Sequence, residues 1–547
     1  MYLPGSSPIR PKMPKKTGVD PAQYGLFAVP LEAMVAADAE VRVIAAFVDQ
    51  LDLEELGFKA TRRDGASAYG ADVLLKIYLY GYLNRERSSR RLERCCRLNV
   101  EMMWLTGRLQ PKYHTIADFR KQHPKQLKAV FRQYVLLLKE WSLIGGARLA
   151  IDGTKVRGQN STKRNLNAAK LARYLERIDE GITAAMEEFA RRDAQEGEED
   201  PTGERAQRQQ RTLEKLAALK QRKLERQEQQ RQLAASPDKQ LSLTDPDARL
   251  LIVKGTESLV GYNVQSVVDS EHKLIVHVEA TNVTDAEALG GLVSTTAELL
   301  ELPGDGTTQV LADKGYHSAS QVAAVEEQGM VPFVAERRAS TRGQRDTKVY
   351  GAEEFSYDAE RDVYHCPGGH ELTTTGEWYT RTGSTRRHQH YRLAAEVCRA
   401  CPLYDHCVSA SAQGNRRGRT LSRSEFTEAV ERNRKRLREQ PEVYAQRQAL
   451  VEHPFGTLKR SWGGYYTLVR GLDKVDGEYS LLALSYNLRR SMSILGVTAL
   501  IGLLRGRLSG ENGINRLLED LGSSILALIA KILRPYRPRP NFTRLAA

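Results

Sequence analysis

Cysteine is scarce in this chain of 547 residues: there are six, and four of them fall between Cys366 and Cys407. That excludes a disulfide framework running through the molecule, and in a reducing compartment a local cluster of thiols points to metal rather than to cross-links. Long hydrophobic runs are missing as well. The longest, residues 525–533, is broken by Lys531 and falls short of the roughly 20 apolar residues that span a bilayer, so a soluble protein with no membrane partner is expected. No apolar stretch follows the scattered bases and prolines (Pro4, Pro8, Pro11, Pro14) of the first 29 residues, which argues against a secretory signal and for a cytoplasmic location. Acidic residues are the minority charge, 68 Asp and Glu against 82 Lys and Arg, for a formal charge of +14. A polyanion, nucleic acid first, is the partner this balance favours, with an anionic membrane surface as the competing reading.

What is present is modular. Residues 1–29 form a basic, proline-rich segment, and residues 30–145 read as short helices with periodic apolar positions such as Val73, Leu74, Ile77 and Tyr78. Within that helical region Arg85, Arg87, Arg90, Arg91, Arg94 and Arg97 crowd one turn; a solvated helix face and a phosphate-contacting face are both open readings. Thr115, with Asp118 three residues on, has the pattern of a helix cap. From residue 146 the pattern changes to strands. A charged insertion over about 165–240 carries Leu171, Leu175, Ile178, Ile182, Met186 and Phe189 on one stripe and Leu213, Leu216, Leu219 and Leu224 on another. These predict an antiparallel helical hairpin about 30 Å long. Strand patterns resume at residues 261–269 and 273–280, then Thr284-Asp-Ala-Glu287 opens a helix by the capping-box pattern, and residues 308–313 read as a buried strand. The expected class is α/β, a mixed sheet flanked by helices, over residues 146–339. Residues 340–430 are a polar insertion holding the four cysteines, residues 431–495 return to helix, and residues 496–547 form a helical and basic tail.

Three acidic residues stand where metal-dependent phosphoryl transfer needs them. Asp152 ends the apolar run Leu149-Ala-Ile, Asp313 ends Val310-Leu-Ala, and Glu452 lies in Val451-Glu-His-Pro-Phe-Gly-Thr-Leu-Lys459-Arg460. Sites gather at the carboxyl ends of strands in α/β folds, and hard oxygen ligands suit Mg²⁺. Each aspartate alone is also an ordinary turn former; Asp269, Asp285 and Glu287 are explained by a hairpin turn and a helix cap. Glu452 and Lys459, seven apart, fall on nearly one helix face, so that the carboxylate faces the aspartates while Lys459 reaches a phosphate. Pro454 predicts a kink, or a helix restarting at His453.

Taken together these stretches resemble the bacterial insertion-sequence DDE transposases. The likeness extends to Tyr80-Gly-Tyr, Ser88-Ser-Arg, residues 115–120, 243–249 and 261–265, Val469-Arg-Gly471 and Tyr486-Asn-Leu-Arg-Arg490, as in the subgroup with a cysteine-rich insertion, and covers roughly residues 30–495. The resemblance implies an RNase H-like catalytic domain, Mg²⁺ (or Mn²⁺) held by Asp152, Asp313 and Glu452, and cutting and strand transfer of double-stranded DNA at transposon ends. It implies a homodimer or larger assembly on DNA, in the bacterial cytoplasm against the nucleoid. DNA contacts are expected from Lys459, Arg460, Arg447, Arg87, Arg90, Arg91 and Arg120. Tyr444 and Arg447 lie one residue further from Glu452 than the pattern has its Tyr and Arg. The rival readings are a noncatalytic, domesticated transposase acting as a DNA-binding repressor, and a nuclease without strand transfer.

Cys366, Cys398, Cys401 and Cys407 supply four thiols, which satisfy tetrahedral Zn²⁺, with His365, His370 and His406 as possible substitutes for one ligand. Free cysteines in a loop-rich domain are the alternative.

Overall fold

A computed structural model of the protein describes residues 30–58, 69–193, 204–236, 238–254, 257–336, 349–380, 386–408 and 418–506. The expected N-terminal segment and the apolar run of the tail lie outside these residues. No described helix is long and apolar enough to cross a membrane.

After a single helical turn at Leu31–Met34, the helical region contains α1 (Glu40–Val48), α2 (Ala71–Leu83), α3 (Ser89–Leu98), α4 (Val100–Thr106), α5 (Tyr113–Gln122) and α6 (Pro124–Glu140). Thr115 does not cap a helix, since α5 starts two residues earlier at Tyr113. Six strands then form one mixed sheet: β1 (Arg148–Arg157), β2 (Arg249–Lys254), β3 (Glu257–Asp269), β4 (Ile275–Thr281), β5 (Gln309–Ala312) and β6 (Val331–Val334). β3 is long enough to pair antiparallel with β1 along one edge and with β2 and β4, end to end, along the other. On the far side of β1 the sheet turns parallel, β1 with β5 and β5 with β6. Gly261 sits at the β1–β3 crossing because a Cβ there would collide with the Val156 carbonyl. The α/β class and mixed sheet expected from the sequence are what the fold shows.

Between strands lie α9 (Leu289–Leu300) and α10 (Ala319–Glu327), and the insertion after β1 is α7 (Ala168–Asp193) with α8 (Glu204–Ala235). The hairpin arms are longer than anticipated, about 39 and 48 Å at 1.5 Å per residue. Leu171 is buried, but Met186, Leu213 and Leu224 point outward, 55%, 43% and 61% exposed. The apolar stripe therefore covers less of the hairpin than its spacing suggested.

The described residues close with α11 (Thr427–Glu439), α12 (Pro441–Phe455), α13 (Leu472–Leu495) and α14 (Val497–Leu504). One continuous core runs from Val35 to Leu504, uniting the N-terminal helices, both faces of the sheet and α13. Two helices also close the sheet's outer edges, where unpaired backbone groups would otherwise remain. Asn487 of α13 accepts from the Ile275 N–H at 2.9 Å and donates to the Ile275 carbonyl at 2.7 Å. Asn433 of α11 does the same for Val334 of β6, at 2.9 and 2.8 Å. The cysteine-containing block is a separate β module of two three-stranded sheets, with its own small core of Phe355, Tyr364, Leu372, Tyr391 and Leu421.

Candidate active site

The parallel register of β1 on β5 pairs Ile151 with Ala312. One step further along the chain, Asp152, still paired with Ser266 inside β1, and Asp313, just past the end of β5, therefore come side by side, held there by buried Leu149-Ala-Ile and Val310-Leu-Ala. Asp152 Oδ1 accepts from the Gly153 N–H at 2.9 Å, and Asp313 Oδ1 from the Gly315 N–H at 2.6 Å.

A third carboxylate joins them. Asp285 accepts from Asn263 Nδ2 at 2.6 Å and Gln265 Nε2 at 2.8 Å, and lies 3.6 Å from Lys155 Nζ. A Cβ on Gly315 would stand 2.8 Å from Asp313 Oδ1 and 3.3 Å from Asp285 Oδ2, so the two carboxylates converge on one small space that glycine leaves open. The capping box expected at Thr284 does not form: residues Asp285–Glu287 make a 3₁₀ turn, and the Thr284 side chain caps nothing. Asp285 is thus a site residue that sequence reasoning assigned to a helix end. The available signal lay in β3, where Asn263 and Gln265 are polar side chains two apart, both fully buried between Tyr262, Val264 and Val267. Asp269, by contrast, does serve a turn, accepting from the Gly146 and Glu271 N–H groups at 2.9 Å each.

Crowding shows in the acid–base chemistry. Burial pushes the Asp152 carboxyl up to about 6, with the charges of Asp313 and Asp285 adding to it and the Arg447 guanidinium opposing. Tyr316, wholly buried beneath the cluster, is held far on the protonated side by the same burial and the same carboxylates, and its hydroxyl donates to Gln265 Oε1. Arg447 Nη1 comes from α12 to 3.8 Å from Asp152 Oδ2, too far for a hydrogen bond, and is a buried donor without a partner among the described residues.

Glu452, one turn further along α12, is exposed, and its Oε1 accepts from Gln448 Nε2 at 2.7 Å. Among the described residues no three His, Cys, Asp or Glu side chains stand close enough to hold a metal ion. The sheet brings Asp152, Asp313 and Asp285 together, but Glu452 is not drawn in to them. The restart expected at His453 does not occur. α12 runs through Pro454 to Phe455 and passes into a π turn, Gly456–Ser461, with Thr457 Oγ1 donating to the His453 carbonyl at 3.1 Å. The changed pitch moves Lys459 off the Glu452 face. Its Nζ donates to Thr154 Oγ1 at 2.8 Å and to the Lys155 carbonyl at 3.3 Å, two to three residues past Asp152 on β1.

The remaining cations divide. Arg460, Arg90 and Arg91 are exposed, Arg90 over the Tyr113 ring and Arg91 paired to Glu86 at 3.2 Å. Arg87 and Arg120, expected at phosphates, are only 5% exposed and share the fully buried Glu478 at 2.8 and 3.5 Å. Their guanidiniums join the N-terminal helices to α13 and are closed to DNA.

Cys366, Cys398, Cys401 and Cys407 line one cavity with His370 and Gly368. A Cβ on Gly368 would lie 3.0 Å from Cys401 Sγ and 3.6 Å from Cys366 Sγ. The His370 N–H donates to Cys366 Sγ at 3.3 Å and the Arg419 N–H to Cys398 Sγ at 3.4 Å. All four thiols are free, gathered but not at metal-ligand spacing.

Fold and site together define a mixed-sheet α/β protein with carboxylates converging where the parallel pairing of two neighbouring strands ends. Residues 365–492 match the family described as Transposase DDE domain, and residues 29–122 match the family described as Transposase domain (DUF772). The first match contains Glu452, Lys459 and the four cysteines, and ends before reaching back to Asp152 or Asp313. Comparison with curated proteins and with solved structures gave no match.

Proposed function

We propose that the protein is a DDE transposase that cuts and rejoins double-stranded DNA at the terminal inverted repeats of an insertion sequence, working as a homodimer or larger assembly. The observation that carries the reading is the β1–β5 register, which sets Asp152 beside Asp313 in a chain whose Glu452 lies inside a transposase DDE match. The donor chemistry suits a divalent cation: hard carboxylate oxygens, one of them destabilised by burial among like charges, with the Arg447 guanidinium 3.8 Å away as its ion-pair partner among the described residues. Asp152, Asp313 and Glu452 would hold Mg²⁺ or Mn²⁺, which supplies activation of the attacking oxygen and relief of charge on the leaving one.

The chain's own groups do the rest. Asp285, fixed by Asn263 and Gln265, keeps the space beside Asp313 anionic. Arg447 offers its unpaired donor to a phosphate oxygen, and Lys459 and Arg460 grip the backbone nearby. In the first step a water oxygen bonds to phosphorus as the P–O3′ bond breaks, leaving a 3′-hydroxyl. That hydroxyl then attacks a target phosphate, displacing its 3′ oxygen. We further propose that the four cysteines hold one structural Zn²⁺, the N–H···S bonds orienting Cys366 and Cys398 for it.

The test is to incubate the protein with the genomic DNA flanking its gene and Mg²⁺, and to map cut ends and joined products. Asp152→Asn, Asp313→Asn and Glu452→Gln should each keep DNA binding and abolish cutting; near-wild-type cutting by any of them removes that residue from the site. Cut ends without joined products would indicate a nuclease. Protein purified without chelators should carry about one Zn²⁺ per chain, lost in Cys398→Ser, and a metal-free preparation would remove the zinc.

A further inference from the structure

Beyond Lys459, β1 runs into a groove that the cutting chemistry does not use. Its first part, about 380 Å³, is lined by Arg157, Gln159, Ser161, Tyr465 and Tyr466 among others. Tyr465 is 58% exposed, yet the loop that carries it is fixed on every side. The Arg157 N–H donates to the Tyr465 carbonyl at 3.0 Å, and the Thr467 N–H donates to the Arg157 carbonyl at 2.9 Å. Buried Arg87 donates to the carbonyls of Gly463 and Tyr466. A large exposed aromatic ring on an anchored backbone, edge-on to the Tyr466 ring at 4.9 Å and beside a cation and amide groups, is a stacking platform.

The second part begins at the next residue. Thr162, Lys163, Lys170, Arg173, Tyr174 and Arg177 line a notch of about 250 Å³ at the base of the α7–α8 hairpin. Arg226 adds a fifth cation over the Tyr174 ring at 5.1 Å. Among the described residues none of Lys163, Lys170, Arg173 and Arg177 has an acidic partner in ion-pair range; Lys170 Nζ is tied to the Thr162 and Asn165 carbonyls at 2.9 Å each, and no acid balances the cations of the notch. Phosphate oxygens would neutralise them.

Stacking ring and cationic notch, lined by consecutive residues on either side of Ser161 and Thr162, are the pair of features that bind unpaired nucleic acid: the ring takes a base face, which a duplex keeps hidden, and the notch takes the backbone. Arg157 is five residues beyond Asp152 along an extended strand, about 17 Å. We propose that this groove is a path for single-stranded DNA leading away from the cutting centre, with one base stacked on Tyr465 and neighbouring phosphates held by Lys163, Arg173 and Arg177. The proposal rests on the reading of the chain as a DNA-cutting protein.

It is tested on full-length protein in EDTA, by fluorescence anisotropy with a short labelled single strand and the corresponding duplex. Tyr465→Ala should weaken single-strand binding about fivefold or more, while Tyr465→Phe stays within about twofold of wild type and duplex binding does the same. Replacing Lys163, Arg173 and Arg177 together by Gln should flatten the dependence of log K on log salt for the single strand by about 2, at roughly 0.7 per contact. Unchanged single-strand affinity in Tyr465→Ala, with an unchanged thermal midpoint, overturns the proposal. So does an equal loss on both substrates, which would make the groove a duplex surface. Wild-type protein that cuts duplex ends in Mg²⁺ but binds no single strand would refute the path and leave the transposase reading standing.

Discussion

Glu478→Gln is a substitution for which the structure predicts a large cost to folding. Glu478 is fully buried, and its Oε1 takes Arg87 Nη2 at 2.8 Å with Arg120 Nη1 at 3.5 Å, while Oε2 accepts the Leu468 N–H at 2.9 Å. Arg120 also donates to Tyr82 at 2.9 Å, and Arg87 holds the Gly463–Tyr466 loop. One buried carboxylate thus compensates two buried guanidiniums. Glutamine keeps the shape and withdraws the charge, leaving both cations uncompensated at a cost of about 3–5 kcal/mol. Urea unfolding should show this loss with little change between low and high salt, because buried pairs escape screening. A double-mutant cycle over Arg87→Met and Glu478→Gln should return a coupling energy well above the roughly 0.5 kcal/mol error expected of independent sites. Arg87→Gln should destabilise the fold without changing the salt dependence of DNA binding. A loss under about 1 kcal/mol for Glu478→Gln, or a salt slope reduced by about 0.9 in a fully stable Arg87→Gln, would refute the assignment and return Arg87 to the DNA surface.

How far the site was legible follows from where the information lay. Asp152 and Asp313 could be read because each ends a local apolar run, and equal runs in parallel register deliver their next residues to one place. Arg87 and Arg120 could not be read. In a basic stretch an arginine looks solvated, and its burial is decided by Glu478, hundreds of residues away, whose only local mark is a carboxylate just before the apolar stretch Tyr479–Leu488 of α13. Asp285 was hidden by a stronger local explanation, a capping box, which lost because Asn263 and Gln265 on β3 offered the carboxylate better donors than a helix end does. For Lys459 the helix was anticipated but not its pitch, and the π turn after Pro454 sends the ammonium to Thr154 instead of Glu452.

The remaining predictions probe these placements. Asn487→Leu should cost about 2–6 kcal/mol, because it strands the buried N–H and carbonyl of Ile275 at about 1–3 kcal/mol each; a stability within error of wild type would show that the β4 edge finds other partners. Lys459→Ala should lower the salt slope of duplex binding by about 0.9 and reduce cutting less completely than Glu452→Gln, whereas no change in either would confine Lys459 to tying the π turn to β1. Finally, acid should weaken the fold through His277. This side chain is 1% exposed, and burial holds its imidazole below the ordinary value, with nearby Lys128 and Arg132 adding to the effect and Glu279, 3.6 Å away, opposing it. As pH falls below about 6.5, the unfolded chain takes up a proton on this residue that the folded chain refuses. Stability therefore declines toward acid, by at most about 1.4 kcal/mol per pH unit for one proton, and the contribution ends once pH drops past the depressed folded-state value. His277→Gln lacks the group, so its unfolding free energy between pH 7.5 and 5.5 should fall less steeply than that of wild type. Parallel pH profiles for the two proteins would mean that His277 charges as readily inside the fold as outside it, and that Glu279, not burial, governs its proton.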